Sequence, residues 1–144
     1  MATIKNFVDI EAWQEARELC ILIYKFIQKE GFSKDYRLKE QINGSSGSVM
    51  DNIAEGFERG GNTEFMNFLR YAKGSSGETK SQLYRAMDRN YISAEEFENA
   101  IQLTRSISAK IQNLINYLSK SVMTGANYKH KSKNIENNDT APKP

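Results

Sequence analysis

The sequence predicts an all-α fold, an antiparallel up-down-up-down four-helix bundle. Three observations predict it. Residues 1–141 contain no proline, so nothing in that span removes a helix hydrogen bond. Apolar residues recur at three- and four-residue steps over four long stretches. At 144 residues and 39% hydrophobic content, the chain suits one core of ordinary size.

Helix 1 is predicted from about Ile10 to Glu30. Trp13, Ala16, Cys20, Ile23, Tyr24 and Ile27 share one face, with Leu19, Leu22 and Phe26 as a second stripe that implies a second partner. Gly31 supplies its stop. Helix 2 runs from about Asp35 to Glu58, with Leu38, Ile42, Val49 and Ile53 inward. Asn43-Gly44-Ser45-Ser46-Gly47-Ser48 are poor helix formers, so either a loop breaks this helix or it continues; the matching apolar register on both sides favours continuity. Gly60-Gly61 closes it. Helix 3 starts on Asn62 or Thr63 as N-cap and ends near Arg89, with Asn90 in the left-handed C′ position. Helix 4 opens on a capping box, Ser93 with Glu96, and carries an unbroken apolar face to Leu118.

Gly44-Ser45-Ser46-Gly47 and Gly74-Ser75-Ser76-Gly77 are identical and equidistant from Gly60-Gly61. In a helical hairpin they face each other, and small residues there permit close backbone approach; the alternative is a chance repeat. The predicted domains are a bundle over 1–121 and a disordered basic C-terminal tail over 122–144. Lys129, Lys131, Lys133 and Lys143 against Glu136 and Asp139 give the tail the whole formal charge of +2. The bundle is therefore neutral, which argues against nucleic-acid binding driven by bulk charge. Lys25, Lys29, Lys34, Arg37, Lys39, Lys80, Arg85 and Arg89 gather at one end. Acids oppose them there, so a mixed-charge surface is favoured over an anion patch.

Catalytic chemistry finds no footing. Cys20 is the lone cysteine and His130, in the tail, the lone histidine. That leaves no disulfide, no usual zinc ligand set and no histidine base for a serine. The glycine-serine segments lack a P-loop lysine, and Glu55, Glu58 and Glu64 lack the ligand spacing of a calcium loop. The chain is expected to be no enzyme and to need no cofactor. Without a signal core or transmembrane run, a cytoplasmic setting away from membranes is expected.

Asp9 through Ala16 with Trp13, Asn52-Ile53-Ala54-Glu55-Gly56-Phe57, Glu64-Phe65 through Leu69, Gly74-Ser75, Glu78 and Tyr91-Ile92-Ser93 together carry a resemblance. In order and spacing they resemble the four-helix-bundle family of proteins encoded in intervening sequences of large-subunit ribosomal RNA. That family includes the accessory variability protein of diversity-generating retroelements. The resemblance covers about residues 7–120. It implies a homopentamer, with RNA or DNA, or a reverse transcriptase ribonucleoprotein, as partner. The chain departs from the family pattern in helix 2, where a basic pair is replaced by Asn43-Gly44, and in helix 3 at Ser76, Gly77 and Thr79.

Arg59, Arg70 and Lys73 are the first phosphate candidates, and Lys129, Lys131 and Lys133 beside Tyr128 could add a nucleic-acid-binding tail. Trp13 reads as a buried anchor before a base-stacking surface. Asn52 and Glu55, three apart on one face, are expected to bond each other or to cap the next helix, and Gly56 to permit close helix approach. Gly74 and Glu78 complete the family-motif positions. An oligomeric protein scaffold without nucleic-acid affinity is the alternative function, favoured by the neutral bundle.

Overall fold

The computed structural model describes residues 4–135, with side chains through Met123. Among the described residues the chain is all-helical, with five α-helices: α1 (Glu11–Phe26), α2 (Glu30–Lys34), α3 (Tyr36–Glu58), α4 (Asn62–Asp88) and α5 (Ala94–Ile135). No helix among them is long and apolar enough to cross a membrane. The count of five corrects the expected four, because the link expected between helices 1 and 2 forms a short helix of its own, and helix 1 ends at Phe26 before it.

A 3-10 turn at Phe7–Asp9, capped by the Asn6 side chain accepting from the Val8 amide, leads into α1. Ala12, Ala16, Leu19, Ile23 and Phe26 are buried along α1. Leu19 and Phe26, set aside by the sequence for a second partner, pack inside the protomer because α1 lies against both α3 and α5. The helix stops without a glycine. The Gln28 side chain donates to the Tyr24 carbonyl, the Lys29 amide bonds Phe26, and Lys29 turns to an extended conformation. Gly31, expected as the stop, instead sits inside α2, where an added Cβ would stand 3.2 Å from the Tyr91 ring. Phe32 beside it is fully buried and stacks on Tyr91, with ring centroids 5.1 Å apart.

Asp35 caps α3 by accepting from the Leu38 amide. The helix then runs unbroken through residues 43–48. Ser45 and Ser46 are buried, their hydroxyls donating back to the Ile42 and Asn43 carbonyls. Ser45 Oγ also lies 2.8 Å from Thr79 Oγ1 and donates to Gln82 Oε1 of α4. Contacts across the bundle hold a segment whose own propensity is poor. Ser75 donates to Ser48 at 3.0 Å, so α3 and α4 run in opposite senses with the two repeats nearly level. Their glycines are another matter. A Cβ at Gly44, Gly47, Gly74 or Gly77 would meet nothing within 4 Å, so these positions do not mediate the close approach.

The turns are local in origin. Gly60 takes φ +84, and α4 begins at Asn62 with extended Gly61 as N-cap and no side-chain cap, which corrects the Asn62 or Thr63 cap. Asn90 takes φ 58, and the Tyr91 amide reaches back to the Ala86 carbonyl, the bond pattern that ends a helix at a left-handed residue. Ser93 and Glu96 exchange both bonds of the capping box. The last helix then continues to Ile135, past the boundary at 121 where the composition predicted an ordered bundle to give way to a disordered tail. No proline interrupts 122–135, and extending an established helix is cheap per residue. The core runs between α1, α3, α4 and α5 through Leu19, Ile23, Ile42, Ile53, Leu69 and Ile107, each fully buried and each contributing about 1.5–3 kcal/mol of burial.

Candidate nucleic-acid interface

The predicted site residues divide by what already holds them. Arg59 follows the last turn of α3, bonds Glu55 at 2.9 Å and lies over the Phe68 ring at 5.2 Å. The Glu55 hydrogen bond raises its pKa, and a guanidinium tied on two sides is a weak candidate for a phosphate. Arg70 and Lys73 are exposed on α4. Arg70 donates to Asn67 at 3.1 Å, and Lys73 donates to Gln112 of α5 at 2.8 Å. Neither has a carboxylate within 4 Å among the described residues, so both keep a full charge for a ligand. Lys129, Lys131 and Lys133 lie in the helical backbone of α5, but their side chains fall outside the described residues.

Of the family-motif residues, Gly56, Asn52 and Trp13 make contacts within the bundle. Gly56 is buried, and a Cβ there would come within 2.5 Å of Phe68 Cβ and 3.1 Å of the Phe65 ring. It is the point where α3 and α4 close on each other, as the sequence suggested. Asn52 neither bonds Glu55 nor caps α4. Its amide donates to the Ser48 carbonyl and hydroxyl, both at 2.8 Å, while Ser75 donates to that same hydroxyl. Asn52 therefore props the α3–α4 seam, and Glu55 is left to Arg59, four residues on. Trp13 is half-buried, edge-on to Phe7 at 5.2 Å; it anchors the N-terminal turn to α1 and is not enclosed between helices. Gly74 and Glu78 are both exposed on α4.

At the crowded end of the bundle, half of the gathered cations have side-chain partners. Lys29 bonds Glu96, Lys34 lies 3.6 Å from Glu30, Arg85 donates to Gln41, and Arg89 bonds Asp35 at 2.6 Å. Asp35 also accepts from the Tyr91 hydroxyl at 2.8 Å, and that bond, with the Leu38 amide and Arg89, holds its carboxyl below the usual range. This is a mixed-charge surface. Cys20 offers no reactive thiolate, since burial pushes its thiol up.

A model of the 23S rRNA-intervening sequence protein family matches residues 8–113. The chain belongs to that family. Among solved structures it is similar to a crystal structure, at 1.70 Å, of a protein of unknown function from the S23 ribosomal protein family of Bacteroides thetaiotaomicron. The two share 25% identity, with a TM-score of 0.66, over 72% of this chain and 97% of the other. No curated protein matches. Among the positions that carried the resemblance, Gly56 serves close helix packing, Asn52 bonds Ser48, and Tyr91 stacks on Phe32 and bonds Asp35. The cations that the pattern did not mark are Lys80, Arg105 and Lys120. Their signal is written in the sequence, because none has an acid three or four residues away on its helix, but only the packing of α4 on α5 shows that they share a face.

Proposed function

We infer that this member of the intervening-sequence family is a non-catalytic accessory protein of the cytoplasm that self-associates and binds RNA through surface cations. Arg70 and Lys73, exposed and without carboxylate partners among the described residues, are the observation that carries the RNA reading. The pentameric state, and an RNA-containing reverse transcriptase complex as the wider partner, rest on the resemblance to retroelement accessory variability proteins. A second reading, a protein scaffold without RNA affinity, draws on α1. Ile21 and Tyr24 are 49% and 63% exposed there, beside a groove of about 450 Å³ lined by Val8, Trp13, Gln14, Arg17, Glu18 and Ile21.

The deciding measurement is fluorescence anisotropy of a labelled structured RNA, at low and at physiological salt, with light scattering on the same sample. Binding that weakens steeply with salt is expected, from a particle of five times the 16.4 kDa protomer. An absence of binding at low salt would overturn the RNA reading and leave the scaffold.

A further inference from the structure

Ion pairing divides the cations of this bundle into two groups. Lys29, Lys34, Arg59, Arg89 and Lys110 each have a carboxylate within 4 Å. Among the described residues, Lys5, Arg17, Lys25, Arg37, Lys39 and Arg85, scattered over the molecule, have none, and Arg70, Lys73, Lys80, Arg105 and Lys120 on α4 and α5 have none either. Nor does any of the five have an Asp or Glu three or four positions away on its own helix, and residues 99–121 of α5 contain no acid at all.

These five cations fall on one side of the molecule. Lys73 bonding Gln112, Ser76 donating to the Thr104 carbonyl and Tyr84 packing edge-on to Phe97 mark the line where α4 meets α5. Two turns along α4 from Lys73 comes Lys80. Two turns either way along α5 from Gln112 come Arg105 and Lys120, while Arg70 lies one turn from Lys73. At 1.5 Å per residue the set spans roughly 25 Å of the bundle. The surface between them is low: Gly77 has open space above it, and Ala109 carries only a methyl. Since residues 1–121 are neutral overall, five unpaired cations here leave the remaining surface net acidic, which orients an approaching polyanion.

We propose that the α4–α5 face, through Arg70, Lys73, Lys80, Arg105 and Lys120, binds the phosphodiester backbone of double-helical RNA without reading its bases. This rests on the RNA-binding function above and names its ligand and face. A single strand is held by successive rings on which bases stack. Among these five cations the ring at the α4–α5 seam is Tyr84, 47% exposed and edge-on to Phe97 at 4.9 Å, one ring where a strand needs several. Flexible cations over a low surface suit regularly spaced phosphates, which position a helix and carry no sequence information.

The test uses the full chain and two labelled RNAs of equal length, a perfect hairpin duplex and an unstructured strand, titrated at several salt concentrations. The duplex is expected to bind more tightly, independently of its sequence. Lys80→Gln with Arg105→Gln should weaken binding at least tenfold at low salt and reduce the log–log salt slope by about two. Lys25→Gln with Arg37→Gln, exposed cations on α1 and α3, should leave both unchanged; thermal melts confirm that every variant is folded. If neither RNA binds the wild type at low salt, the RNA function itself falls. Binding that is indifferent to the Lys80 and Arg105 changes, or equally damaged by the Lys25 and Arg37 changes, overturns the face while RNA binding stands. Tighter binding of the unstructured strand overturns the double-helical ligand.

Discussion

At the scale of single residues, glycine shows how one side chain type takes opposite signs in one bundle. Gly56→Ala gains helix propensity but drives a methyl into Phe68, whose Cβ stands 2.5 Å from the new atom, so a net loss of about 1–3 kcal/mol is expected. Gly44→Ala, over open space in the same helix, should gain about 0.5–1 kcal/mol. Urea denaturation midpoints of the two variants decide between them, and midpoints moving the same way would refute the packing argument. Asp35 gives a pH signature. Its folded pKa is lowered by Tyr91, Leu38 and Arg89, so the stability it adds is complete above the unfolded carboxylate pKa of about 3.9 and disappears as pH falls through the lower folded value. Asp35→Asn should lower the melting temperature at neutral pH and flatten its fall on the acid side, as melts from pH 2 to 6 would read. The Asn90 turn and the Ser93–Glu96 box were legible in the sequence because their partners lie within a few residues. The Asn52 bond to Ser48 is as local, but a chain of hydroxyls continuing to Ser75 on another helix gives it its role.

At the scale of elements, the most telling difference is α2. Five residues are too short for a periodic signal, and Gly31 read as punctuation. Burial of Phe32 under Tyr91 decides the conformation there, with α2 packed on α3. Phe32→Ala should therefore cost about 3–5 kcal/mol, a core-sized loss from a segment that looks like a loop. A loss below about 1 kcal/mol in chemical denaturation would show that α2 is peripheral. The continuity of α3 through residues 43–48 has the converse explanation. The apolar register foretold it, and the bonds of Ser45 to Thr79 and Gln82 supply what local propensity lacks. Gly56 was legible as a close-approach position for a related reason, since it lies near the Gly60-Gly61 turn where α3 and α4 must meet.

At the scale of the whole molecule, charge had to be located before it meant anything. Counting Lys and Arg by bundle end groups Lys80 with the paired cations near Asp35; placing α4 against α5 moves it to the side of Arg105, on the next helix along the chain. Arg59 moves the other way, from phosphate candidate to the partner of Glu55 and Phe68. The same placement sets the groove beside α1, lined by Val8, Trp13 and Ile21 with Gln14, Arg17 and Glu18, apart from the acid-free stretch 99–121 of α5.

Helical class, most helix limits, the Gly60, Asn90 and Ser93 punctuation and the family were determined by the sequence alone, because each depends on groups within about a turn of one another or on periodicity along one helix. The short α2, the role of Asn52, the solvent-facing glycines and the sorting of cations by face were decided only by tertiary structure. Each depends on which atoms of a distant helix come within a few ångströms, and interactions of that range leave no period along the chain.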